Sequence, residues 1–205
     1  MLLCDIGNTS YHFYKDGHRY KKFVEDFSPD EVKEKVYFIS VNQKENEKLS
    51  KLGNWIDLQE YIDKTSYYET MGIDRIVATH ALNEGVIIDA GSAITVDVVK
   101  NGKFEGGFIY PGIDAMSQTY KNISPSLDYS FNFELNLDKI PKNTQDAITY
   151  GFIKPFYEEI HSYNLDIILT GGNAKEFKKI FKDAKVDETL LFKAMKKIMK
   201  KADLC

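Results

Sequence analysis

Short apolar runs separated by turn signals predict the strands of this chain. In the first half, β-branched and aromatic residues are concentrated in these runs. The predicted strands cover residues 2–5, 10–14, 19–24, 36–40 and 55–58. Charged or polar stretches around 29–35 and 43–51 fit helices. Asp16 and Gly17 stand between two β-prone runs, which is a strong hairpin signal.

The second half opens with a helix and then repeats the pattern of three strands. Strands are predicted at 86–89, 93–99 and 103–110, and an Asn101-Gly102 turn joins the last two. Helices are predicted at 73–83 and about 144–162, followed by a strand at 165–170 and closing helices. Because antiparallel hairpins lead each half and helices follow, we predict an α/β fold with mixed sheets.

The repeat extends to chemistry. LLCDIGNTSYHFYKDG (2–17) and VIIDAGSAITVDVVKNG (86–102) each place Asp-x-Gly at the end of an apolar run. Such a turn leaves backbone N–H groups free, and its glycine admits a phosphate close to the chain. The carboxylate can hold a cation over the phosphate. One copy would indicate an ordinary turn, since Asp and Gly are common there. Two copies predict a clamp for the phosphate tail of a nucleotide.

Composition narrows the classes of function. The chain has 205 residues, 43% hydrophobic and 28% charged, which fits a globular protein of one large or two small domains. A net charge of −4 argues against a nucleic-acid partner. The segment 175–201 is locally basic, and its apolar residues recur at helical spacing. It predicts amphipathic helices with solvated lysines, the alternative being a helix on a membrane surface.

Cysteine and histidine usage bears on metals and location. Cys4 and Cys205 form neither a disulfide framework nor a CxxC site, and the four histidines lack ligand spacing. A metal held by carboxylates and phosphates is therefore favoured over one held by His and Cys. Without a signal peptide or a membrane-spanning apolar run, we expect a cytoplasmic protein with no membrane partner.

Five segments in a fixed order carry a resemblance to a known family. They are DIGNT (5–9), GIDR (72–75), DAGSAITVD (89–97), GGFIYPG (106–112) and LTGGNA (169–174). Together they resemble the motifs of the type III pantothenate kinases, within the actin/hexokinase/Hsp70-type ATPase superfamily. Ser92 stands where that family usually has Thr and keeps the hydroxyl. The YYETM segment lacks the family's Pro-containing spacer, which leaves open whether Tyr67 or Tyr68 contacts the substrate.

The resemblance implies a fold and an activity. The fold would be two tandem ribonuclease-H-like domains, residues 1–72 and 73–205, with the nucleotide in the cleft between them. The activity would be ATP-dependent phosphorylation of pantothenate to 4'-phosphopantothenate, the first step of coenzyme A biosynthesis. The alternatives are a kinase for another small hydroxylated metabolite and a non-catalytic regulatory or accessory protein of the same fold. A set of four residues favours the enzyme, because a degenerate regulator need not retain them: Asp5, Asp74, Arg75 and Asp89.

The GIDR segment is implied to bind and activate the acceptor. Asp74 would receive the hydroxyl proton, although an Asp in the first turn of a helix is also favoured by the helix dipole alone. Arg75 would contact the pantothenate carboxylate, the alternative being a structural ion pair. The implied substrate-binding residues are Tyr68, Gly72, Ile73, Asp74, Arg75 and Thr144. Thr144 is also predicted to be the N-cap of its helix.

The two hairpins are implied to bind ATP and its cations. The implied ATP-binding residues are Asp5, Ile6, Gly7, Asn8, Thr9, Ser10, Tyr11, His12 and Ser92. Asp5 would orient Mg²⁺ and Asp89 would hold a monovalent cation, K⁺ or NH₄⁺; the structural alternative for both is a turn-capping carboxylate. Gly171-Gly172 fits either a close approach to adenosine or a plain strand-to-helix turn.

The resemblance also implies a homodimer. The partner subunit would cover the pantothenate pocket, with the GIDR helix and the helix opened by Thr144 at a two-fold interface. An isologous contact of this kind would build two identical sites per dimer.

Overall fold

Two five-stranded sheets form the framework of the computed structural model, which describes residues 1–204. The first sheet contains β1 (Leu2–Ile6), β2 (Ser10–Lys15), β3 (His18–Phe23), β4 (Val36–Ser40) and β5 (Trp55–Asp57). The second contains β6 (Gly85–Ala90), β7 (Ala93–Lys100), β8 (Lys103–Pro111), β9 (Ile167–Thr170) and β10 (Lys185–Val186). The helices are α1 (Gln43–Leu49), α2 (Ile73–Thr79), α3 (Ile113–Ile123), α4 (Thr144–Ser162), α5 (Ala174–Ile180) and α6 (Leu190–Lys201). The predicted α/β fold with mixed sheets is confirmed.

The two sheets have the same topology. The strand orders are β3-β2-β1-β4-β5 and β8-β7-β6-β9-β10. In each sheet the first three strands form an antiparallel meander, and the last two run parallel to the first strand. The sequence repeat is therefore a repeat of a whole structural unit.

The tight turns of the two meanders are alike in conformation. Asp16 and Gly17 have φ values of 48° and 88°, and Asn101 and Gly102 have values of 51° and 70°. Positive φ at both central residues is the geometry of a type I′ hairpin, which Asp-Gly and Asn-Gly pairs favour. Both predicted hairpins are confirmed.

The chain separates into two compact units, but not at the predicted boundary. The first comprises Met1–Ala81 together with the segment from Thr189 onward, and the second comprises Leu82–Glu188. The expected division after residue 72 would have assigned α2 and α6 to the second half. In the structure, α2 packs against β4 and α6 within the first unit. Local sequence patterns do not reveal which sheet a returning helix covers.

The C-terminal helix completes the core of the first unit. Its buried side chains are Leu190, Phe192, Ala194, Met195, Ile198 and Met199, and the helix packs against β1 and α2. Its lysines stay largely solvated. The prediction of an amphipathic helix is confirmed, and its apolar face is not free for a membrane surface. Among residues 1–204, no helix has the length and apolarity to cross a bilayer.

The second unit is built around an aromatic core. Phe156 of α4 packs against Phe177 of α5 and the adjoining Phe181. Phe152 of α4 belongs to the same cluster, and all four are buried. They cover one face of β6, β7 and β9. This core holds the ends of β6 and β9 in place beneath the second glycine turn.

Two predicted helices differ from the structure. Only a short 3-10 turn, Pro29–Glu31, forms within 29–35. The Asn54 side chain donates to the carbonyls of Val32 and Glu34, at 2.7 and 2.9 Å, and these bonds replace helical ones. Helix α2 ends at Thr79 rather than at residue 83.

The two cysteines were predicted to form neither a disulfide framework nor a metal site. Cys4 is a free cysteine buried in β1, and Cys205 lies outside the described residues.

Candidate active site

The first glycine turn joins β1 to β2. The Gly7 N–H donates to the Ser10 carbonyl at 2.9 Å and closes the turn. Asp5 pairs with His12 across the two strands. Because directly opposed residues lie on the same face of a sheet, the carboxylate and the imidazole are neighbours on the face opposite to the Ile6 and Tyr11 side chains.

The predicted ATP-binding residues of this turn differ in exposure, and Ser10 is buried, with 3% of its surface exposed. The side chains of Ile6 and Tyr11 are fully buried in the core of the first unit, so only their backbone could contact a nucleotide. Asn8 and Thr9 are exposed at the tip of the turn. The sequence pattern marked the whole segment but did not distinguish core residues from exposed ones.

Two residues that the sequence analysis missed hold this turn. The Asn42 side-chain amide donates to the carbonyls of Gly7 and Asn8 at 3.5 and 3.3 Å. The Tyr11 hydroxyl donates to buried Glu45, and burial together with this bond raises the pKa of Tyr11. Asn-x-x-Glu at 42–45 is a capping-box signal for the start of α1. That signal could have located the helix, but not its contact with the turn.

His12 is held beside the turn as a neutral ring. Desolvation, with the positive charges of Lys21 and Arg19 on the adjacent strand, lowers its pKa. Its Nε2 lies 2.9 Å from the Ser10 hydroxyl. The imidazole is therefore uncharged near neutral pH and contributes hydrogen bonding rather than charge.

Three glycine motifs converge on the second turn, at the end of β6. Asp89 pairs with Thr95 on β7 and with Thr170 on β9. A Cβ on Gly171 would overlap the Asp89 carboxylate and come within 2.8 Å of the Ala90 backbone nitrogen.

Gly112 closes the turn from another side. A Cβ there would overlap the carbonyl of Ser92, whose own side chain is exposed. The segments that contain Gly112 and Gly171 are distant from each other in the sequence, and both pack against the turn that contains Asp89 and Ser92.

The structure supplies a packing reason for Gly171. Its φ is +86°, a left-handed conformation that glycine adopts without a steric penalty. The Asn173 N–H then donates to the Ala90 carbonyl at 2.9 Å. The strand-to-helix turn is therefore a precise support for Asp89, and a contact of Gly171-Gly172 with adenosine stays a prediction.

The GIDR segment forms the start of α2. Gly72 is the N-cap residue, and the Oδ1 atom of Asp74 accepts from the Arg75 N–H at 2.8 Å. The Oδ2 atom has no hydrogen-bond partner within residues 1–204. Arg75 is only 6% exposed, and its guanidinium donates to the Tyr68 hydroxyl. Asp74 thus lies in the first turn of the helix, where the helix dipole alone would favour it, and it also has an oxygen available for chemistry.

The two candidate tyrosines differ in their surroundings. The Tyr67 hydroxyl lies 2.8 Å from that of Thr79, and the ring is half-buried. Tyr68 is 45% exposed. Both line a cavity of about 440 Å³ in the first unit, together with Gly72 and Ile73. The exposed ring of Tyr68 is the better placed of the two to meet a small ligand.

Thr144 is not the N-cap that the sequence predicted. The cap of α4 is Asn143, whose side chain accepts from the Asp146 N–H at 2.9 Å. An Asn accepts this bond as well as a Thr does, and the helix begins at Thr144, one residue earlier than a Thr144 cap would require. Thr144 is exposed at the first helical position, so its hydroxyl is not used in capping.

Cations at these turns would need ligands from outside the protein. No group of three or more His, Cys, Asp and Glu residues within 1–204 is arranged to hold a metal. Asp5 and Asp89 each contribute one carboxylate beside a glycine turn. Phosphate oxygens and water would complete the coordination of a hard cation, which suits a nucleotide-bound metal.

The repeated sheet with an Asp before each glycine turn defines the class: the chain has the fold of actin-like ATPases and sugar kinases. A solved structure of MreB 5 of Spiroplasma citri bound to AMPPNP matches it with a TM-score of 0.51 over 99% of this chain and 96% of that chain, at 11% identity. At that identity the likeness concerns the fold alone.

The chain belongs to the type III pantothenate kinase family. The family's sequence model matches residues 58–164. A type III pantothenate kinase of Sulfurimonas denitrificans is 58% identical over 205 residues, covering 100% of both chains. A crystal structure from Campylobacter jejuni, whose description names the Baf family of transcriptional activators, matches with a TM-score of 0.89 at 37% identity, again covering 100% of both chains.

Gly171 and Gly172 provide a matched test of the second turn. Gly171→Ala should destabilise the fold by roughly 2–4 kcal/mol, because the new Cβ is strained at positive φ and overlaps Asp89 and Ala90. Gly172→Ala meets nothing within 4 Å and should stay within about 0.5 kcal/mol of the parent. Denaturant unfolding of both variants checks this. Equal midpoints would contradict the close packing of Gly171 on Asp89.

Proposed function

We propose that this protein transfers the γ-phosphoryl group of ATP to the primary hydroxyl of pantothenate, the first step of coenzyme A biosynthesis. The observation that carries the proposal is the repeated hairpin, with Asp5 and Asp89 each placed before a glycine turn in sheets of identical topology. Family membership supplies the acceptor. A kinase of this fold works with ATP and a divalent metal, and the proposal places the enzyme in the cytoplasm, where ATP is supplied.

Each turn is assigned a part of the polyphosphate. The exposed backbone of the first turn, around Asn8 and Thr9, takes the β- and γ-phosphates, and Asp5 orients Mg²⁺ beside them. Ile6 and Tyr11 take part through their backbone only, since their side chains are buried. Ser10 and neutral His12 complete the first turn. The exposed hydroxyl of Ser92 is assigned to phosphate at the second turn.

The acceptor is assigned to the start of α2. The pantothenate hydroxyl oxygen attacks the γ-phosphorus, the bond to the bridging β–γ oxygen breaks, and ADP leaves. The hydroxyl proton passes to the Oδ2 atom of Asp74. Arg75 and Tyr68 orient the carboxylate end of pantothenate, and Gly72 and Ile73 line the adjoining cavity.

Asp89 is assigned to a monovalent cation. The Gly171 backbone packs so closely on Asp89 that a Cβ there would overlap the carboxylate, which supports a defined position for Asp89 beside the second turn. Carboxylates near a polyphosphate raise the local negative charge, and a cation in addition to Mg²⁺ offsets it. K⁺ or NH₄⁺ is the proposed occupant.

A regulatory role is the second candidate. It is favoured by one observation, the description of the similar Campylobacter jejuni structure, which names transcriptional activators. The net charge of −4 works against DNA binding, since such domains carry basic surfaces. Retention of Asp5, Asp74, Arg75 and Asp89 favours the kinase. A kinase for a different small acceptor would use the same phosphate turns and differ only around α2.

A coupled assay of ADP release separates these functions. With ATP and Mg²⁺, we expect ADP release that depends on pantothenate and is faster in K⁺ or NH₄⁺ than in Na⁺, with the salt preference lost in Asp89→Ala. If folded protein releases no pantothenate-dependent ADP in any salt, the proposed reaction is contradicted. The remaining functions are then a regulator and a kinase for another acceptor. Equal rates in all three salts would contradict only the assignment of a monovalent cation to Asp89.

Asp74→Asn tests the proton acceptor. Asn retains the oxygen that accepts from the Arg75 N–H but cannot take a proton, so kcat should fall roughly a hundredfold or more while ATP affinity changes little. Asp63→Asn, an exposed carboxylate in the same unit, is the control and should keep normal kcat. Near-normal turnover of Asp74→Asn would leave that residue with its structural role only.

The working unit is proposed to be a homodimer. Helix α3 is amphipathic, yet none of its residues is buried within the described chain, and Ile123 at its end is 67% exposed. Ile109 on edge strand β8 is also exposed. Uncovered apolar surface of this kind is typical of a protein interface. The partner's Thr144 helix is assigned to cover the pantothenate pocket.

Mixing two inactive variants tests the shared pocket. One carries Asp74→Asn and the other Thr144→Trp, which blocks the pocket. If each site combines Asp74 of one chain with Thr144 of the other, subunit exchange should restore up to roughly a quarter of the sites. No recovery after verified exchange, or a fully active monomer in sedimentation at assay concentration, would overturn the shared site.

A further inference from the structure

The tip of the first turn carries two backbone N–H groups, those of Asn8 and Thr9, that donate to no acceptor within residues 1–204. Both residues are exposed. Under the proposed function, on which this inference rests, these groups meet phosphate oxygens. Their direction then determines how well the polyphosphate is bound, because a hydrogen bond weakens steeply when its angle departs from linear.

Asn42 controls that direction. A trans peptide unit is planar, and its N–H points opposite to its carbonyl. The Gly7 carbonyl shares a peptide unit with the Asn8 N–H, and the Asn8 carbonyl shares one with the Thr9 N–H. Since the Asn42 amide nitrogen holds both carbonyls, at 3.5 and 3.3 Å, both N–H groups point away from α1.

The chain after the turn is held by the same helix. The Tyr11 hydroxyl donates to Glu45, which is 1% exposed and also pairs with Lys48 at 2.6 Å. The Oδ1 atom of Asn42 accepts from the Glu45 N–H at 3.3 Å and caps α1. Two residues at the start of α1 therefore bond to this segment. Asn42 donates to the carbonyls of Gly7 and Asn8 within the turn, and Glu45 accepts from Tyr11, which follows the turn.

We propose that Asn42 is a positioning residue for polyphosphate binding. Its side-chain amide holds the carbonyls of Gly7 and Asn8, so that the N–H groups of Asn8 and Thr9 are directed at the β- and γ-phosphates before ATP arrives. Asn42 itself touches neither substrate nor metal. The Gly7 N–H closes the turn on the Ser10 carbonyl, and Asn42 adds the orientation of the two peptide units that follow Gly7.

The variant Asn42→Ser separates this role from helix capping. Serine is also a good N-cap, but it is too short to reach the two carbonyls. We expect the KM for ATP and the calorimetric Kd for ATP to rise roughly tenfold or more, as for loss of a well-directed hydrogen bond to a charged group. The Kd for AMP, which lacks the β- and γ-phosphates, and the KM for pantothenate should stay unchanged.

Asn136→Ser is the matched control, since Asn136 caps an exposed turn in the other unit by accepting from the Asp138 N–H at 2.8 Å. It should bind ATP normally. Asn42→Asp keeps the cap acceptor but removes the donors, and should weaken ATP binding at least as much as Asn42→Ser. This second variant keeps the test decisive should Asn42→Ser fold poorly.

The two proposals can fail separately. A parent-like Kd for ATP in folded Asn42→Ser or Asn42→Asp would overturn the positioning role, even if the melting temperature falls. An equal loss of AMP affinity would overturn it too, because it would mean a general disturbance of the site. Calorimetry needs no acceptor, so a protein that binds ATP through this turn without phosphorylating pantothenate would contradict only the proposed reaction.

Discussion

Backbone hydrogen bonding at a strand end is the constraint on which this structure depends. β1 and β6 are central strands whose main-chain groups are paired on both sides, and the proposed function needs each to end where a ligand can still reach main-chain N–H groups. An Asp-x-Gly turn satisfies this because glycine permits a tight reversal and close approach. The same solution appears once in each sheet, so a nucleotide kinase can be assembled from one unit used twice.

The two turns are supported in different ways. In the first unit, hydrogen bonds from polar side chains support the turn. Asn42 donates to the carbonyls of the turn, and buried Glu45 accepts from Tyr11 just beyond it. In the second unit, close packing does it, since Gly171 and Gly112 bring backbone against Asp89 and Ser92 where no side chain would fit. A duplicated fold thus retains its topology while the contacts that fix each turn diverge.

The start of α2, the proposed acceptor region, shows how one residue can combine a structural contact with an oxygen left for chemistry. Asp74 occupies the first turn of α2 and accepts from the next N–H, as the helix requires, and still presents its second oxygen. Arg75 is buried against Tyr68 rather than extended into solvent, which limits its motion. The polar groups at the start of α2 are therefore held in place by contacts within the protein. This supports the role proposed for them, because phosphoryl transfer relies on preorganised groups.

The sequence by itself determined the elements, the repeat and the family. Period-two patterning and the Asp-Gly and Asn-Gly pairs identified both meanders, because hairpin geometry is decided within a few residues. The five ordered motifs identified the catalytic class and most of the candidate residues. The hairpins and the motifs could be recognised because each is specified by residues that are neighbours in the sequence.

Only the tertiary structure decided which residues of those motifs are usable and what supports them. Tyr11 and Ile6 belong to the predicted phosphate motif, yet their side chains are core residues, since alternate positions of a strand face opposite sides. Asn143 caps α4 in place of Thr144, α6 returns to the first unit, and Asn42 reaches a turn 34 residues away. The cap of α4 is a local choice between two adjacent residues. The return of α6 and the reach of Asn42 depend instead on contacts between segments distant in the chain, and such contacts are set by the packing of whole elements rather than by local pattern.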